Sequence, residues 1–274
     1  MRLFGCSCCG FTSSFGGRSA FAPADSGAAA APIPKSGGAV DRKVLEEFAA
    51  ASRILADQGV VDAFGHVSLR HPADPNRFLM ARAVAPALVT ADDIMEFDLD
   101  STPCEDRGRS GFLERFIHGQ IFKARPDVMS VVHSHSQSVI PFGLVATPLR
   151  AMFHNAAFLA QGVPVFDISK NFGATDMLVG NNEKGVDLAR TLGDKPVVLM
   201  RAHGSVAVGP SLPVAIFRAV YTEVSARMQT AATLVGSGGP IAALSKEEGA
   251  LADVVNLGAA SRAWDMWKRR VGAA

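Results

Sequence analysis

The sequence has few cysteines, almost no net charge and no long apolar run, and each shortage excludes a class of protein. Four of the 274 residues are cysteine, and Cys6, Cys8 and Cys9 crowd into the first ten positions. This is not the spacing of a disulfide-stapled secreted domain, so we expect a reducing, cytoplasmic compartment. The formal net charge of +1 argues against a nucleic-acid partner. No apolar run approaches the ~20 residues that span a bilayer, so we expect no membrane partner.

Residues 1–40 show no sustained periodicity and hold no acidic residue before Asp25. They are rich in glycine, alanine, serine and proline, a composition typical of a disordered tail. A flexible extension or an over-long start to the gene is the simplest interpretation. An organelle transit peptide is an alternative, because such peptides are rich in serine and poor in acid. The cysteine cluster could also bind metal or carry lipid, but no partner histidine or hydrophobic anchor lies nearby.

From Asp41 onward, apolar residues recur at the spacing of helices and strands. Several strands mixed with peripheral helices predict an α/β layered domain over residues 41–243, followed by a helical C-terminal extension at 244–274. The predicted strands are 64–70, 77–81, 94–99, 128–133, 195–201 and 206–208, and the predicted helices are 44–55, 113–124, 136–144, 151–160, 211–235 and 244–270.

Two histidines one residue apart, His133 and His135, stand at the end of an apolar run. In an extended strand, residues i and i+2 project to the same face, so both imidazoles can grip one metal ion. A lone histidine is more often structural, held by a backbone carbonyl. A catalytic metal site typically needs three protein ligands and an open position, so the pair alone does not establish such a site.

His203 is a third candidate ligand, because it also follows an apolar run and precedes Gly204. A glycine there lets the chain turn sharply beside the ligand. Glu114, at the start of a predicted helix, is either a carboxylate that favours the helix dipole or a fourth ligand and general acid/base. The spacing alone leaves that choice open. Together, the four residues indicate a metal-dependent enzyme.

Several motifs of the chain stand in an informative order. They are Gly65-His66-Val67-Ser68, Glu114-Arg115-Phe116-Ile117-His118, Arg125-Pro126-Asp127-Val128, Val132-His133-Ser134-His135, and His203-Gly204 before a long helix. In this order they resemble the class II aldolase/adducin family over roughly residues 42–236. The resemblance implies a three-layer αβα fold around a central mixed, mainly antiparallel sheet. It implies one divalent metal ion per subunit on the three histidines, Glu114 as acid/base, and a homotetramer with active sites at subunit interfaces.

Two departures from the family pattern bear on the substrate. Sugar-phosphate aldolases of this family hold phosphate with Gly-Asn-x-Ser and with a Ser-Ser pair just before the glutamate. Here His66 replaces the asparagine, and Phe112-Leu113 replaces the serine pair. A bulky apolar pair cannot donate hydrogen bonds to phosphate, and it would leave a buried charge unpaired. We therefore expect a substrate without phosphate.

A second, weaker resemblance points to the branch of the family that contains metal-dependent decarboxylases of hydroxylated aromatic or pyridine carboxylic acids. It rests on three stretches: Ala81-Arg82-Ala83-Val84-Ala85-Pro86, His154-Asn155-Ala156-Ala157-Phe158-Leu159 and Tyr221-Thr222-Glu223. The Arg82 guanidinium suits a bidentate carboxylate, although a solvated surface arginine is the commoner case.

This branch implies a lyase that decarboxylates a non-phosphorylated hydroxylated aromatic or pyridine carboxylic acid. Charge left on carbon would enter an enolate-like system that a Lewis-acidic metal stabilises. Glu114 would protonate the carbon, which requires a raised pKa in a dry site, and Arg82 would clamp a carboxylate. His154, His66 and Tyr221 are further candidates for polarising oxygen or delivering a proton, and His71 and His118 are expected to be structural.

Three alternatives remain at this point. An aldolase could act on a non-phosphorylated hydroxy-keto acid or a sugar-like substrate, because the same metal chemistry serves retro-aldol cleavage. A non-heme iron oxygenase could use the same scaffold. An adducin-like module could bind without catalysis, but it would have no need for an open metal site. Three imidazoles and a carboxylate suit zinc or manganese best here, with iron or cobalt as alternatives.

Overall fold

The computed structural model describes residues 32–273. The predictions for residues 1–31, including the cysteine cluster, lie outside this range. The α-helices are α1 (Arg42–Asp57), α2 (Arg115–Ala124), α3 (Ser169–Phe172), α4 (Asn182–Leu192), α5 (Leu212–Val235) and α6 (Lys246–Arg270), and the strands are β1 (His66–Arg70), β2 (Arg77–Ala81), β3 (Ile94–Asp98), β4 (Ser130–Ser134), β5 (Val165–Phe166), β6 (Val197–Met200) and β7 (Gly204–Gly209). Short 3-10 helices cover Pro86–Leu88, Ala91–Asp93, Ile140–Gly143 and His154–Gln161.

The seven strands form one sheet in the order β3-β2-β1-β4-β7-β6-β5. All neighbouring pairs are antiparallel except β5 and β6, which are parallel. The mixed, mainly antiparallel sheet agrees with the expectation from the sequence. In the middle of the sheet, His66 of β1 pairs with His133 of β4, and His133 pairs in turn with Val206 of β7.

Helices cover both faces of the sheet, which gives three layers. On one face, α1, α5 and α6 pack around a large apolar core that includes Val67, Val132 and Ala207. On the other face, α2 and α4 pack against each other over a second core that includes Met80, Val131 and Val206. Successive strand residues alternate between these cores, as the two-residue period of a strand requires.

Capping residues fix where the helices begin. The Asp41 side chain accepts a hydrogen bond from Lys43 N at the start of α1, and Ser211 accepts one from Val214 N at the start of α5. Pro213 suits the first turn of α5, because its missing N–H has no partner to lose there. Ser245 and Glu248 form a capping box on α6, so side chains satisfy the free amides of this helix start.

The structure differs from the sequence-based prediction in a few elements. Residues 136–144 and 151–160 form short 3-10 helices rather than regular α-helices. Strand β5 and helices α3 and α4 lie in a stretch for which we predicted no element. Among residues 32–273, no helix combines the length and the apolar character that crossing a bilayer requires.

Candidate metal centre

Two neighbouring strands bring the histidines together at one end of the sheet. His133 is the fourth residue of β4, and His135 lies one residue beyond the end of that strand. His203 immediately precedes β7, the antiparallel neighbour of β4. Glu114 is the residue before α2, where its side chain makes no capping hydrogen bond. Because the end of β4 and the start of β7 meet at one sheet end, the three imidazoles converge there with the carboxylate.

The ligand atoms of these four residues face one another. All four lie within 4.8 Å of one another. His135 Nε2 is 3.1 Å from His133 Nε2 and 3.0 Å from His203 Nε2. Glu114 Oε2 is 3.4 Å from His133 Nε2 and 3.3 Å from His203 Nε2. The structure thus brings together the four ligands that the sequence singles out.

Backbone groups form hydrogen bonds with the atoms of these side chains that face away from the centre. His133 Nδ1 lies 3.2 Å from the carbonyl oxygen of Ser205, and His203 Nδ1 lies 3.0 Å from that of Met177. A ring nitrogen next to a carbonyl must donate, so in the neutral rings the Nε2 lone pairs face the centre. Glu114 Oε1 accepts a hydrogen bond from Val179 N at 2.9 Å, which leaves Oε2 for the centre.

This donor set fits a divalent cation. Bonds of ~2.1 Å would separate neighbouring ligand atoms by ~3.4 Å in a tetrahedron and by ~3.0 Å in an octahedron, and the measured separations span this range. His135 Nε2 can donate to only one of its two imidazole neighbours. With neutral rings, at least one of the two neighbouring Nε2 lone pairs is therefore left without a donor, and a shared cation would satisfy it.

The charge states of the four residues also suit ligation. Burial alone would raise the pKa of Glu114, but hydrogen bonds and charge interactions with His133 and His203 outweigh it and hold that pKa far below the usual range. Burial lowers the pKa of His135 to about 4. Burial alone would lower the pKa of His203, but the hydrogen bond and charge interaction with Glu114 outweigh burial and raise that pKa. The raised pKa that we expected for Glu114 is therefore wrong for this arrangement, because two imidazole partners stabilise its ionised form.

The glycine after His203 serves a purpose other than the one expected from the sequence. Gly204 does not adopt a positive φ. A Cβ at this position would collide with the Ser134 carbonyl of β4. The absent side chain therefore lets β4 and β7 approach closely where the ligands emerge, and the proximity of the ligands depends on it.

Apolar side chains surround the mouth of the centre. Phe64 stacks on His135 at 6.3 Å between ring centroids, and 64% of its surface is exposed. Leu113, next to Glu114, is 69% exposed, whereas Phe112 packs on His66 at 4.6 Å between centroids. Neither Phe112 nor Leu113 offers a side-chain hydrogen-bond donor.

A buried hydrogen-bonded chain of side chains lies beside His133. His66 Nδ1 is 2.7 Å from His118 Nε2, and His118 Nδ1 is 2.6 Å from Ser68 Oγ. The His66 and His133 rings are 5.1 Å apart between centroids. Burial lowers the pKa of both His66 and His118 well below the ordinary value, so both rings are neutral.

Arg82 directly follows β2 and contacts Asp93 and Gly111. Its Nε donates to Asp93 Oδ1 at 2.6 Å, and its backbone forms a bridge with Gly111, three residues before Glu114. Met80 pairs with Ser68, and side chains two residues apart in a strand share a face. Arg82 therefore leaves the sheet on the same face as His66 and His133. Its two Nη groups have no hydrogen-bond partner among the described residues.

The two other predicted catalytic residues lie elsewhere in the subunit. Tyr221 of α5 packs with Phe217 at 4.5 Å and with Trp267 at 6.1 Å between ring centroids. His154 is exposed at the start of a 3-10 helix, where its carbonyl accepts a hydrogen bond from Asn256. Within the described residues, neither side chain contacts the four candidate ligands. Their catalytic roles remain predictions.

Two supports of the centre leave no signal in the sequence. Met177 supplies the carbonyl for His203, and Val179 supplies the N–H for Glu114. Both act through the backbone, so the identity of their side chains gives no signal. Met177 has a φ of 68°, which is rare for a residue other than glycine. A third missed contact joins Ser136 Oγ to the buried carboxylate of Glu223 on α5.

Known proteins with similar sequences identify the family of this chain. A family model described as Class II Aldolase and Adducin N-terminal domain matches residues 46–230. Decarboxylase tropJ of Talaromyces stipitatus is 35% identical over 248 residues, which cover 83% of this chain and 93% of that protein. A 3,4-dihydroxyphthalate decarboxylase of Terrabacter sp. strain DBF63 is 32% identical over 251 residues, which cover 86% of this chain and 98% of that protein.

Solved structures agree on the fold. L-fuculose 1-phosphate aldolase from Glaciozyma antarctica PI12 matches with a TM-score of 0.68 at 23% identity, over 84% of this chain and 91% of that chain. At this identity the likeness shows the fold alone. The three-layer arrangement around a mixed sheet, expected from the sequence, is confirmed.

Proposed function

The chain belongs to the class II aldolase/adducin family, and we propose that it is a metal-dependent decarboxylase of a non-phosphorylated, hydroxylated aromatic carboxylic acid. One observation carries this proposal. Three imidazoles and one carboxylate converge within 4.8 Å, in a chain whose similarity to named decarboxylases extends over more than four fifths of its length. The serine pair that would hold phosphate is replaced by Phe112-Leu113 beside this centre.

The reaction breaks the bond between a ring carbon and its carboxylate carbon. The electron pair stays on the ring, carbon dioxide leaves, and a proton adds to the same ring carbon. A bound divalent cation supplies Lewis-acid stabilisation of the negative charge that develops on the neighbouring oxygen. His133, His135 and His203 would hold this cation through Nε2, with Glu114 as the fourth protein ligand.

Glu114 also acts as the proton carrier in this proposal. Its pKa lies far below the usual range, so the carboxylate begins ionised. In that form Oε2 accepts the proton of the hydroxyl next to the departing carboxylate, and it returns this proton to the ring carbon as carbon dioxide leaves. Val179 N keeps Oε1 in place during both transfers. The ring oxygen is then left ionised and takes up one proton from water, so the overall reaction consumes the single proton that loss of carbon dioxide from a carboxylate requires.

Arg82 binds a substrate carboxylate in this proposal. Asp93 occupies its Nε, which leaves the two Nη groups side by side for a bidentate contact. Thr90 N and Thr90 Oγ1 both donate to the second oxygen of Asp93 at 2.8 Å. Asp93, itself held by Thr90, therefore restricts the Arg82 side chain before substrate binds. Arg82 then loses less conformational entropy when it binds a substrate carboxylate.

Zinc or manganese is the metal that we propose, with iron or cobalt as alternatives. Imidazole nitrogen suits zinc, iron and cobalt, and the carboxylate adds the oxygen that manganese prefers. The four separations of 3.0 to 3.4 Å given above fall in the range of neighbouring ligands in both tetrahedral and octahedral sites.

We further propose a homotetramer with active sites at subunit interfaces, in a cytoplasmic setting. Phe64 and Leu113 are large, exposed apolar residues near the centre. Because such residues favour burial, they support a neighbouring subunit that covers this part of the surface. Tyr221 and His154 would then serve a site only through such an assembly. Cys104 is a buried free thiol, and burial raises its pKa to about 11. Light scattering coupled to gel filtration measures the oligomeric state.

One experiment tests the proposed function. Purified protein is analysed for metal and then incubated with 3,4-dihydroxyphthalate, and the release of carbon dioxide is followed together with a dihydroxybenzoate product. The Glu114→Gln variant, loaded with the same metal, keeps the shape of the side chain but cannot accept a proton. We expect its turnover to fall by about 10²-fold or more. Full turnover in this variant would remove the proton carrier from the mechanism.

The same assay separates the alternatives. Release of pyruvate or an aldehyde from hydroxy-keto acids would identify an aldolase, and strict dependence on iron and dioxygen would identify an oxygenase. Purified protein that holds no metal and turns over none of these compounds would favour a binding module.

A further inference from the structure

Three buried side chains, Ser68, His118 and His66, form a hydrogen-bonded chain and are not among the candidate ligands of the cation. The direction in which each hydrogen bond is donated determines which ring nitrogens carry a proton. Ser68, His118 and His66 are 0%, 0% and 7% exposed, so water cannot serve as a partner in the interior of the chain. Each link joins two groups that can both donate and accept. The direction of donation along the chain therefore has two possible senses.

Only one sense satisfies every buried group. If the Ser68 hydroxyl donates to His118 Nδ1, then His118 Nε2–H donates to His66 Nδ1, and the proton of His66 lies on Nε2. In the opposite sense His118 donates to Ser68 Oγ, and the hydroxyl proton of Ser68 is left without an acceptor among the described residues. An unsatisfied buried donor carries the full cost of its lost hydration. The first sense is therefore favoured.

The free edge of His66 keeps contact with solvent, and its ring lies 5.1 Å from that of His133 between centroids. His66 Nε2 has no hydrogen-bond partner in the described part of the chain. In the described residues, the fully buried side-chain nitrogens and oxygens that lack a hydrogen-bond partner are Arg201 Nε and Arg218 Nε. His66 Nε2 also lacks a partner but is not among these fully buried atoms, so it keeps contact with solvent. The ring lies between Phe112 and His133 and shares its sheet face with Arg82.

We propose that His66 is a specificity-determining residue that donates an Nε2–H hydrogen bond to a second substrate carboxylate, the one that Arg82 also binds and that the reaction retains. Ser68 and His118 are positioning residues that hold His66 in the Nε2–H tautomer. The assignment of a substrate carboxylate rests on the proposed function, whereas the tautomer follows from the hydrogen-bond chain alone. The sequence predicts a structural role for His118. In this proposal the buried His118 ring also determines which nitrogen of His66 carries the proton.

The tautomer is tested without any turnover. Long-range proton–nitrogen NMR spectra of full-length protein with ¹⁵N-labelled histidine distinguish a protonated ring nitrogen from an unprotonated one, and the His66→Gln variant assigns the His66 signals. We expect a proton on Nε2 and none on Nδ1. In Ser68→Ala the preference is lost, because His118 Nδ1 no longer has a donor. A proton on His66 Nδ1 in the unmodified protein overturns the proposal.

The chain offers a matched control for the serine change. Ser130, in the adjacent strand, is also fully buried, and its hydroxyl donates to the Ser68 carbonyl at 2.8 Å. Ser130→Ala removes a buried serine hydrogen bond of the same kind outside the chain of histidines. We expect its His66 tautomer to be that of the unmodified protein. An equal loss of preference in both variants would mean that general loosening sets the tautomer, against the proposal.

Two compounds that differ in one carboxylate test the second half of the proposal. 3,4-Dihydroxyphthalate carries the carboxylate beside the hydroxyl and a second one, whereas 2,3-dihydroxybenzoate lacks the second. We expect only the first compound to shift the His66 Nε2–H signal on titration. We also expect His66→Leu to raise KM for 3,4-dihydroxyphthalate about tenfold or more, with kcat changed less. The KM or inhibition constant for 2,3-dihydroxybenzoate stays within about twofold.

The outcomes separate the two proposals. An equal effect of His66→Leu on both compounds overturns the contact with the second carboxylate. Absence of turnover in the unmodified protein contradicts the proposed function, while the NMR assignment still decides the tautomer. His66→Gln places an amide donor near the position of Nε2, and recovery of the 3,4-dihydroxyphthalate KM in this variant supports a donated hydrogen bond over ring packing.

Discussion

The two histidines with a carbonyl at Nδ1 are fixed in orientation, whereas His135 is held mainly by its neighbours at the centre. His133 bonds to Ser205 O and His203 to Met177 O. A carbonyl at Nδ1 selects the tautomer and makes Nε2 a better ligand. At this scale the sequence points to the three histidines because each ends or follows an apolar run, whereas Glu114 is identified by the family resemblance. The sequence could not reveal the carbonyl partners, because every residue type carries one.

Replacing His203 tests the metal centre at the level of one ligand. We expect His203→Ala to reduce bound metal by at least about tenfold in affinity, because three ligands remain and Glu114 loses one of its two imidazole partners. Metal content by mass spectrometry and affinity by calorimetry measure the loss. His154→Ala removes an exposed histidine away from the centre and should keep full metal content. Equal metal content in both variants would place the metal elsewhere.

Metal affinity should fall as the pH falls, and the raised pKa of His203 sets the range. In the metal-free protein Glu114 holds a proton on His203 more tightly than usual, so binding must displace that proton. The pKa of His135 is about 4, so this ring is already neutral between about pH 5 and pH 8. We expect affinity to weaken by about tenfold per pH unit below the His203 pKa, measured by calorimetry. A flat profile over that interval would contradict the ion pair.

At the scale of elements, the segment between α3 and α4 supports the centre from outside. Met177 and Val179 lie in this segment, and Met177 has a left-handed φ of 68°. Apolar runs and caps predict β4, β6, β7 and α5 from the sequence. They do not predict α4, whose buried positions include Gly185 and Ala189 and therefore give a weak apolar stripe.

A branched side chain at Met177 should weaken metal binding without touching a ligand. Met177→Val puts a β-branched residue at a left-handed φ, at a cost of about 1–3 kcal/mol, and shifts the carbonyl that holds His203. Met177→Gly relieves the strain and is the matched control. We expect calorimetry to show weaker metal binding in Met177→Val alone. Equal affinities in both variants would remove the segment from the support of the centre.

Glycine 185 lets α4 lie directly on α2, and its replacement measures that contact. A Cβ at Gly185 would lie 2.6 Å from the Phe116 carbonyl and 2.8 Å from Gln120 Cγ. We expect Gly185→Ala to lower the free energy of unfolding by about 1–3 kcal/mol. Gly258→Ala on α6 meets no atom within 4 Å and should raise stability by about 0.5–1 kcal/mol. Urea unfolding of both variants checks the opposite signs.

At the scale of the whole molecule, the C-terminal helix shares the main core. From the sequence, residues 244–274 read as an extension, because a single helical stripe does not reveal what it packs against. In the structure Trp264 and Trp267 of α6 are buried in the same apolar cluster as Phe48 of α1 and Phe217 of α5. The described part from Ile33 onward therefore forms one compact unit that includes α6.

Removing one tryptophan distinguishes a shared core from an appended helix. Trp267 is 2% exposed and its ring lies 6.1 Å from that of Tyr221, so Trp267→Ala should cost about 3–5 kcal/mol of unfolding free energy. Met266, one residue earlier and half exposed, is the control, and Met266→Ala should change stability by less than about 0.5 kcal/mol. If α6 belongs to the core, metal release and loss of helical signal shift together to lower temperature in Trp267→Ala. An early transition confined to part of the helical signal, with metal retained, would instead show that α6 unfolds independently.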